Sequence, residues 1–129
     1  MTSSKQLFTH ISASGTLELS LKEVEVATPK SHEVIVRIEA APINPSDMWP
    51  MFGPANLAEA VLSADKLTLS APVHSSILPR IKSRLDQVLP IGNEGAGTVV
   101  AAGDIVAYPH KLVLFTMKGL QLSMLLLLL

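Results

Sequence analysis

Two short stretches of this 129-residue chain hold the side chains best equipped for chemistry. The first is Pro42-Ile43-Asn44-Pro45-Ser46-Asp47, followed closely by Trp49, Met51 and Phe52. The second is Gly92-Asn93-Glu94-Gly95-Ala96-Gly97. An amide donates and accepts hydrogen bonds, a hydroxyl does both, and an ionised carboxylate only accepts. Asn44, Ser46 and Asp47 therefore offer one mixed polar group, and Asn93 and Glu94 offer another. Each group has two readings. Asn and Asp close tight turns through their own backbone, so both groups suit an exposed turn. Both also suit the edge of an active site, where a proline-stiffened loop carrying large apolar residues either tucks against a core or lines a pocket.

Other chemistries are excluded quickly. There is no cysteine, which removes disulfides, thiolate metal sites and cysteine nucleophiles and fits a reducing cytosol. A cytoplasmic location is the expectation, since "MTSSKQLFTH" holds no apolar run of signal-peptide length. His10, His32, His74 and His110 have no metal-binding spacing. Gly92, Gly95 and Gly97 have the wrong order for the dinucleotide fingerprint, and no G-x-S-x-G elbow occurs. These glycines read as backbone-packing requirements, not as a phosphate cradle. Net charge is −1, with ten basic and eleven acidic residues interspersed, so nothing draws in nucleic acid or an anionic membrane. The densest basic stretch, Arg80, Lys82 and Arg84, is followed by Asp86 and reads as a solvated helix face.

The elements that must position the two polar groups follow from periodicity. Thr16 to Val26 alternates, with Leu17, Leu19 and Leu21 on one face and Glu18, Ser20 and Lys22 on the other. Glu33 to Ala41 alternates as well, Val34, Val36 and Ile38 against Ile35, Arg37 and Glu39. The economical reading is an antiparallel pair across the turn "TPKSH". Four prolines between Pro42 and Pro54 exclude a regular helix or central strand there. After Pro54, the stripe Leu57, Ala58, Val61 and Leu62 predicts a helix. Residues 65–76 read as irregular with a short strand. Ile81, Leu85, Val88 and Leu89 predict a short amphipathic helix or turn, and "GTVVAAG" returns to strand.

Beyond Asp104 the chain turns apolar with little alternation and ends in five leucines, which supply part of its 48% hydrophobic content. Residues 112–129 are only eighteen in number and include Lys118 and Gln121, whereas a membrane span needs about twenty predominantly apolar residues. The tail is helix-prone and invites self-association, to itself or to an uncovered strand edge.

Taken in order, "VIVRIEA", then "PINPSD", then Pro90 and Gly92-Asn93-Glu94-Gly95-Ala96-Gly97 with its valine strand resemble the medium-chain dehydrogenase/reductase superfamily. The likeness is to its N-terminal, GroES-like catalytic domain and covers about residues 15–104. "PINPSD" is similar to the Asn-Pro-x-Asp form of the zinc-free quinone and enone reductases. The resemblance implies a mainly β fold with a few short helices, a partly closed barrel over residues 1–104, and an apolar tail of no family character over 105–129. It implies catalytic roles for Asn44, Ser46 and Asp47 beside a nicotinamide and a substrate carbonyl, where an amide or hydroxyl donates to the oxygen that gains negative charge. Trp49, Met51 and Phe52 would form an apolar wall, with Asn93 and Glu94 in the substrate pocket.

Zinc-dependent relatives carry Cys at the place of Asn44 and His at the place of Asn93. Amides are poor zinc ligands beside thiolate and imidazole, and Glu94 alone cannot hold the ion, so no zinc is expected. NADPH or NADH would serve the full-length family member. In the family the dinucleotide is held by a second, doubly wound domain with a glycine-rich turn, which is absent from this sequence, so no cofactor is expected on this chain alone. The chain reads as an N-terminal fragment of an oxidoreductase followed by an unrelated tail, its simplest account being a truncated or frame-shifted reading frame. The alternatives are a GroES-like binding or assembly module without catalysis, and a small membrane-associated protein using its leucine tail.

Overall fold

The computed structural model describes residues 2–92, 94–104 and the strand at 112–116. The described residues are mainly β. Strands β1 (Thr2–Ile11), β2 (Thr16–Val26), β3 (Val34–Ala40), β4 (Val61–Leu62), β5 (Thr68–Pro72), β6 (Val88–Pro90), β7 (Glu94–Ala102) and β8 (Leu112–Thr116) accompany one α-helix, α1 (Pro45–Phe52), and 3-10 turns at Leu57–Glu59 and Leu78–Arg84. The strands form two open sheets, ordered β4-β5-β2-β1-β6 and β3-β7-β8. The chain divides into two compact units, one of Met1–Lys5, Glu23–Pro42 and Gly92–Leu129, the other of Gln6–Lys22 and Ile43–Ile91.

The second unit is built on β1 from Gln6 and β2 up to Lys22, which the turn Ser12–Gly15 joins. Gly15 has φ +89, and a Cβ there would press on the Val73 carbonyl at 3.0 Å, so glycine is the residue that fits. The alternation of β2 holds in its first part: Leu17 and Leu19 are buried and Glu18 and Lys22 exposed, while Ser20 and Leu21 are both half-buried. They join Ile11 and Val73 in a core onto which Met51, Phe52, Leu69 and Leu85 close. Antiparallel ladders extend the sheet on both sides, with Leu19 opposite Leu69 and Thr9 opposite Leu89.

The other unit holds β3, β7 and β8. β3 pairs with β7 from Val34↔Ala102 to Ala40↔Ala96, with irregularities after Ile35 and after Ile38. The extra residue of the first is Val100 of β7, and that of the second is Glu39 of β3. Ile35 and Val36, neighbours on opposite faces of the strand, are both buried. Val99 is buried with them in this unit.

Several expectations are corrected. The alternating segments β2 and β3 are strands, but they do not pair with each other: β2 lies between β1 and β5, and β3 beside β7. Periodicity fixes a strand and its buried face, not its partner. The proline-rich loop contains a helix after all, because Pro45 occupies its first position, where no N–H is needed. The stripe after Pro54 yields only a 3-10 turn, capped by Asn56, whose side chain accepts from Ala58 N at 3.2 Å. Val61 and Leu62 then leave it to pair with Ser70 and Leu69 and stand exposed. Of the helix or turn expected over residues 81–89, the first part falls in the 3-10 turn, and Val88 and Leu89 instead belong to β6, which pairs with β1. Residues 112–116 of the helix-prone tail are a strand, with Thr98↔Leu112 and Glu94↔Thr116 opposite in β7 and β8. The pentaleucine end lies outside the described residues.

Candidate active site

Asn44 is the N-cap of α1. Its extended backbone (φ −96, ψ 158) is what a following proline imposes and what an N-cap adopts. Asp47, three residues on, returns its carboxylate to Asn44: the Asn44 N–H donates to Asp47 Oδ2 at 2.8 Å, and the Asp47 N–H donates to the Asn44 carbonyl at 2.9 Å. This is the return arm of a capping box, and its negative charge sits at the favourable end of the helix dipole. Asp47 is 5% exposed. Between them, the side chain of Ser46 is exposed. Asn44 Nδ2 is buried and has no hydrogen-bond partner. A buried amide donor left unmade costs about 1–3 kcal/mol.

The far end of α1 is satisfied completely. A helix leaves its last four carbonyls without intrahelical partners. The Trp49 carbonyl accepts from Gly53 N at 2.8 Å, and that of Phe52 from Ala55 N at 3.0 Å. Met51 O accepts from Thr9 Oγ1 at 3.4 Å. Arg84 supplies the rest: Nη1 donates to Trp49 O at 3.1 Å, and Nη2 donates to Pro50 O and, at 3.2 Å, to Thr9 Oγ1. Burial lowers the Arg84 pKa, since a desolvated cation is disfavoured. Arg84 is thus not part of the solvated face expected for Arg80, Lys82 and Arg84, although Arg80 and Lys82 are exposed as expected.

The apolar residues around the first polar group are divided. Met51 and Phe52 turn inward against the core of their unit. Trp49 is 58% exposed, and Ile43 and Met48 accompany it at 75% and 46%. The expected wall of Trp49, Met51 and Phe52 is therefore split between core and surface, because inward positions of a two-turn helix are few and the core takes them. Asn93 lies outside the described residues, and Glu94 is exposed at the start of β7, in the other unit.

Of the described glycines in the second stretch, Gly97 has a packing explanation, whereas Gly92 has open space around it and a positive φ of +109. A Cβ on Gly97 would run into the Arg37 carbonyl of β3. Beside it, Glu39 Oε1 accepts from Thr98 Oγ1 at 2.9 Å and from Arg37 Nη2 at 3.3 Å. The Thr98 hydroxyl first, then Arg37, holds the Glu39 carboxyl below its ordinary value.

Among the described residues no three His, Asp or Glu side chains group to hold a metal ion, and no helix is long and apolar enough to cross a membrane. Sequence reasoning missed Thr9 and Arg84. They lie 42 and 34–35 residues from the carbonyls they serve, and no local spacing announces such a contact. No protein-family model matches the chain, and no curated protein matches it.

Proposed function

We propose that this chain is the catalytic-domain part of an NAD(P)H-dependent, zinc-independent oxidoreductase of the quinone or enone type, inactive without a cofactor-binding domain. The observation that carries the reading is the buried, unpartnered Asn44 Nδ2 at the N-cap of α1. An orphaned amide donor held on a capped helix start suits a carbonyl oxygen, and its hydrogen bond strengthens as that oxygen gains negative charge. Asp47 is committed to the cap, so its part is to hold the Asn44 backbone.

The dinucleotide itself does not fit these residues. A pyrophosphate seeks a helix N-terminus free of negative charge, and the N-terminus of α1 carries the Asp47 carboxylate. Hydride chemistry would come with a cofactor held by another domain. This chain's share is to orient a small carbonyl substrate.

The test is saturation-transfer NMR with cyclohex-2-enone on the isolated chain and on Asn44→Asp, which keeps an N-cap oxygen and removes the amide donor. Contact with the wild-type chain that is lost in the variant is expected. No contact, or equal contact with both, refutes the reading.

The exposed Ile43, Met48 and Trp49 favour a second reading, a GroES-like binding module without chemistry. Concentration-dependent self-association in sedimentation, without any enone contact, would support it.

A further inference from the structure

We propose that Arg84 is a positioning residue for Asn44 at the start of α1: it fixes the last turn of the helix and thereby the direction of the first. The inference rests on the reading of Asn44 given above. α1 is not self-supporting. It has eight residues, and Pro50 inside it can give no N–H to the preceding turn. Isolated helices are marginal even at about 12–15 residues. Its terminal carbonyls show where the support comes from. Those of Trp49 and Phe52 find backbone partners nearby, at Gly53 and Ala55. Those of Pro50 and Met51 depend on Arg84 and Thr9.

These two supports are one. Arg84 Nη2 donates to Thr9 Oγ1, which donates onward to the Met51 carbonyl. The guanidinium therefore reaches three consecutive carbonyls, two directly and one through a hydroxyl that is 1% exposed. Gly53 leaves the space: a Cβ there would lie 3.2 Å from Arg84 Nη1. A planar fork with several fixed donors does this, and a lysine ammonium, a compact point charge, does not. An eight-residue helix is about 12 Å long, so a tilt of roughly 10° at the clamped end displaces the other end by roughly 2 Å. Displacement of about 1 Å already degrades a binding geometry severely.

Arg84→Met, which keeps the apolar stem, and Arg84→Lys test this by three measurements. Far-UV circular dichroism reports the fold, 15N relaxation the rigidity of the Ser46 and Met48 amides, and saturation transfer the affinity for cyclohex-2-enone. The absence of cysteine keeps thiol addition out of the last measurement. In Arg84→Met the strand signal should persist, the two amides should fall from rigid order parameters toward about 0.6, and enone affinity should drop about tenfold or more. Arg84→Lys should restore part of both. Asn44→Asp should lose enone contact with α1 still rigid. Unchanged amide order in Arg84→Met overturns the proposal. So does loss of the strand signal in both Arg84 variants, since Arg84 would then support the whole unit and not α1. If the wild-type chain gives no enone contact, it is the reading of Asn44 that fails, and the order parameters alone decide whether Arg84 fixes α1.

Discussion

Gly97 lies against the Arg37 carbonyl with no room for a methyl group between them. The contact is backbone to backbone, across the β3–β7 ladder, so no side-chain rotamer change relieves it. Gly97→Ala should destabilise the protein by about 1–3 kcal/mol, the ordinary range for forced overpacking. Urea denaturation measures this directly, and an unchanged midpoint would mean that β3 and β7 separate more easily than their register implies.

Glu39 gives a pH prediction. Its folded pKa is lowered, chiefly by the Thr98 hydroxyl and then by Arg37. A depressed carboxylate contributes stability that is present above its unfolded pKa and lost as pH falls through the folded one. The contribution is therefore intact above the ordinary 4.5 and fades below it. Glu39 is exposed, so the effect on the melting curve is small. NMR titration is the sensitive measure: the Glu39 carboxyl should titrate below 4.5 and move back up in Thr98→Val.

The chain alone should not hold a dinucleotide. Titrating NADPH and NADH while following their fluorescence should give no saturation. Saturable binding in the low micromolar range would reveal a cofactor site on this chain, and would contradict the argument from the Asp47 charge at the start of α1.

β8 changes what truncation should do. The strand covers β7 along Glu94–Thr98, so a chain ending at Asp104 leaves that edge open. Its melting temperature should fall by several degrees, and its light scattering should rise. A preserved melt with less scattering would instead make the apolar tail only a source of aggregation.

The mainly β character was legible because β2 and β3 alternate in sequence, and burial of Leu17 and Leu19 follows that alternation, although Ile35 and Val36 of β3 are both buried. β1 was not legible. "TSSKQLFTHI" offers little alternation, and its strand is defined by β2 on one side and β6 on the other. α1 was obscured by its prolines: Pro45 at the first position is a start signal, while Pro50 argues against any helix and is tolerated where the Arg84 and Thr9 bonds hold the last turn. At the candidate site, the cap formed by Asn44 and Asp47 is a three-residue relationship that sequence displays openly. The clamp at the other end joins residues far apart along the chain, and only the folded backbone brings them together.

The placement of β6 also governs how the molecule comes to be made. Its residues Val88, Leu89 and Pro90 sit opposite His10, Thr9 and Phe8, so β1 waits for a partner about 80 residues downstream. Such distant pairings slow folding more than they weaken the product. At roughly 5–20 residues per second on a ribosome, that wait lasts roughly 4–16 s. Throughout it β1 can pair with β2 across their short turn, but its other edge stays bare.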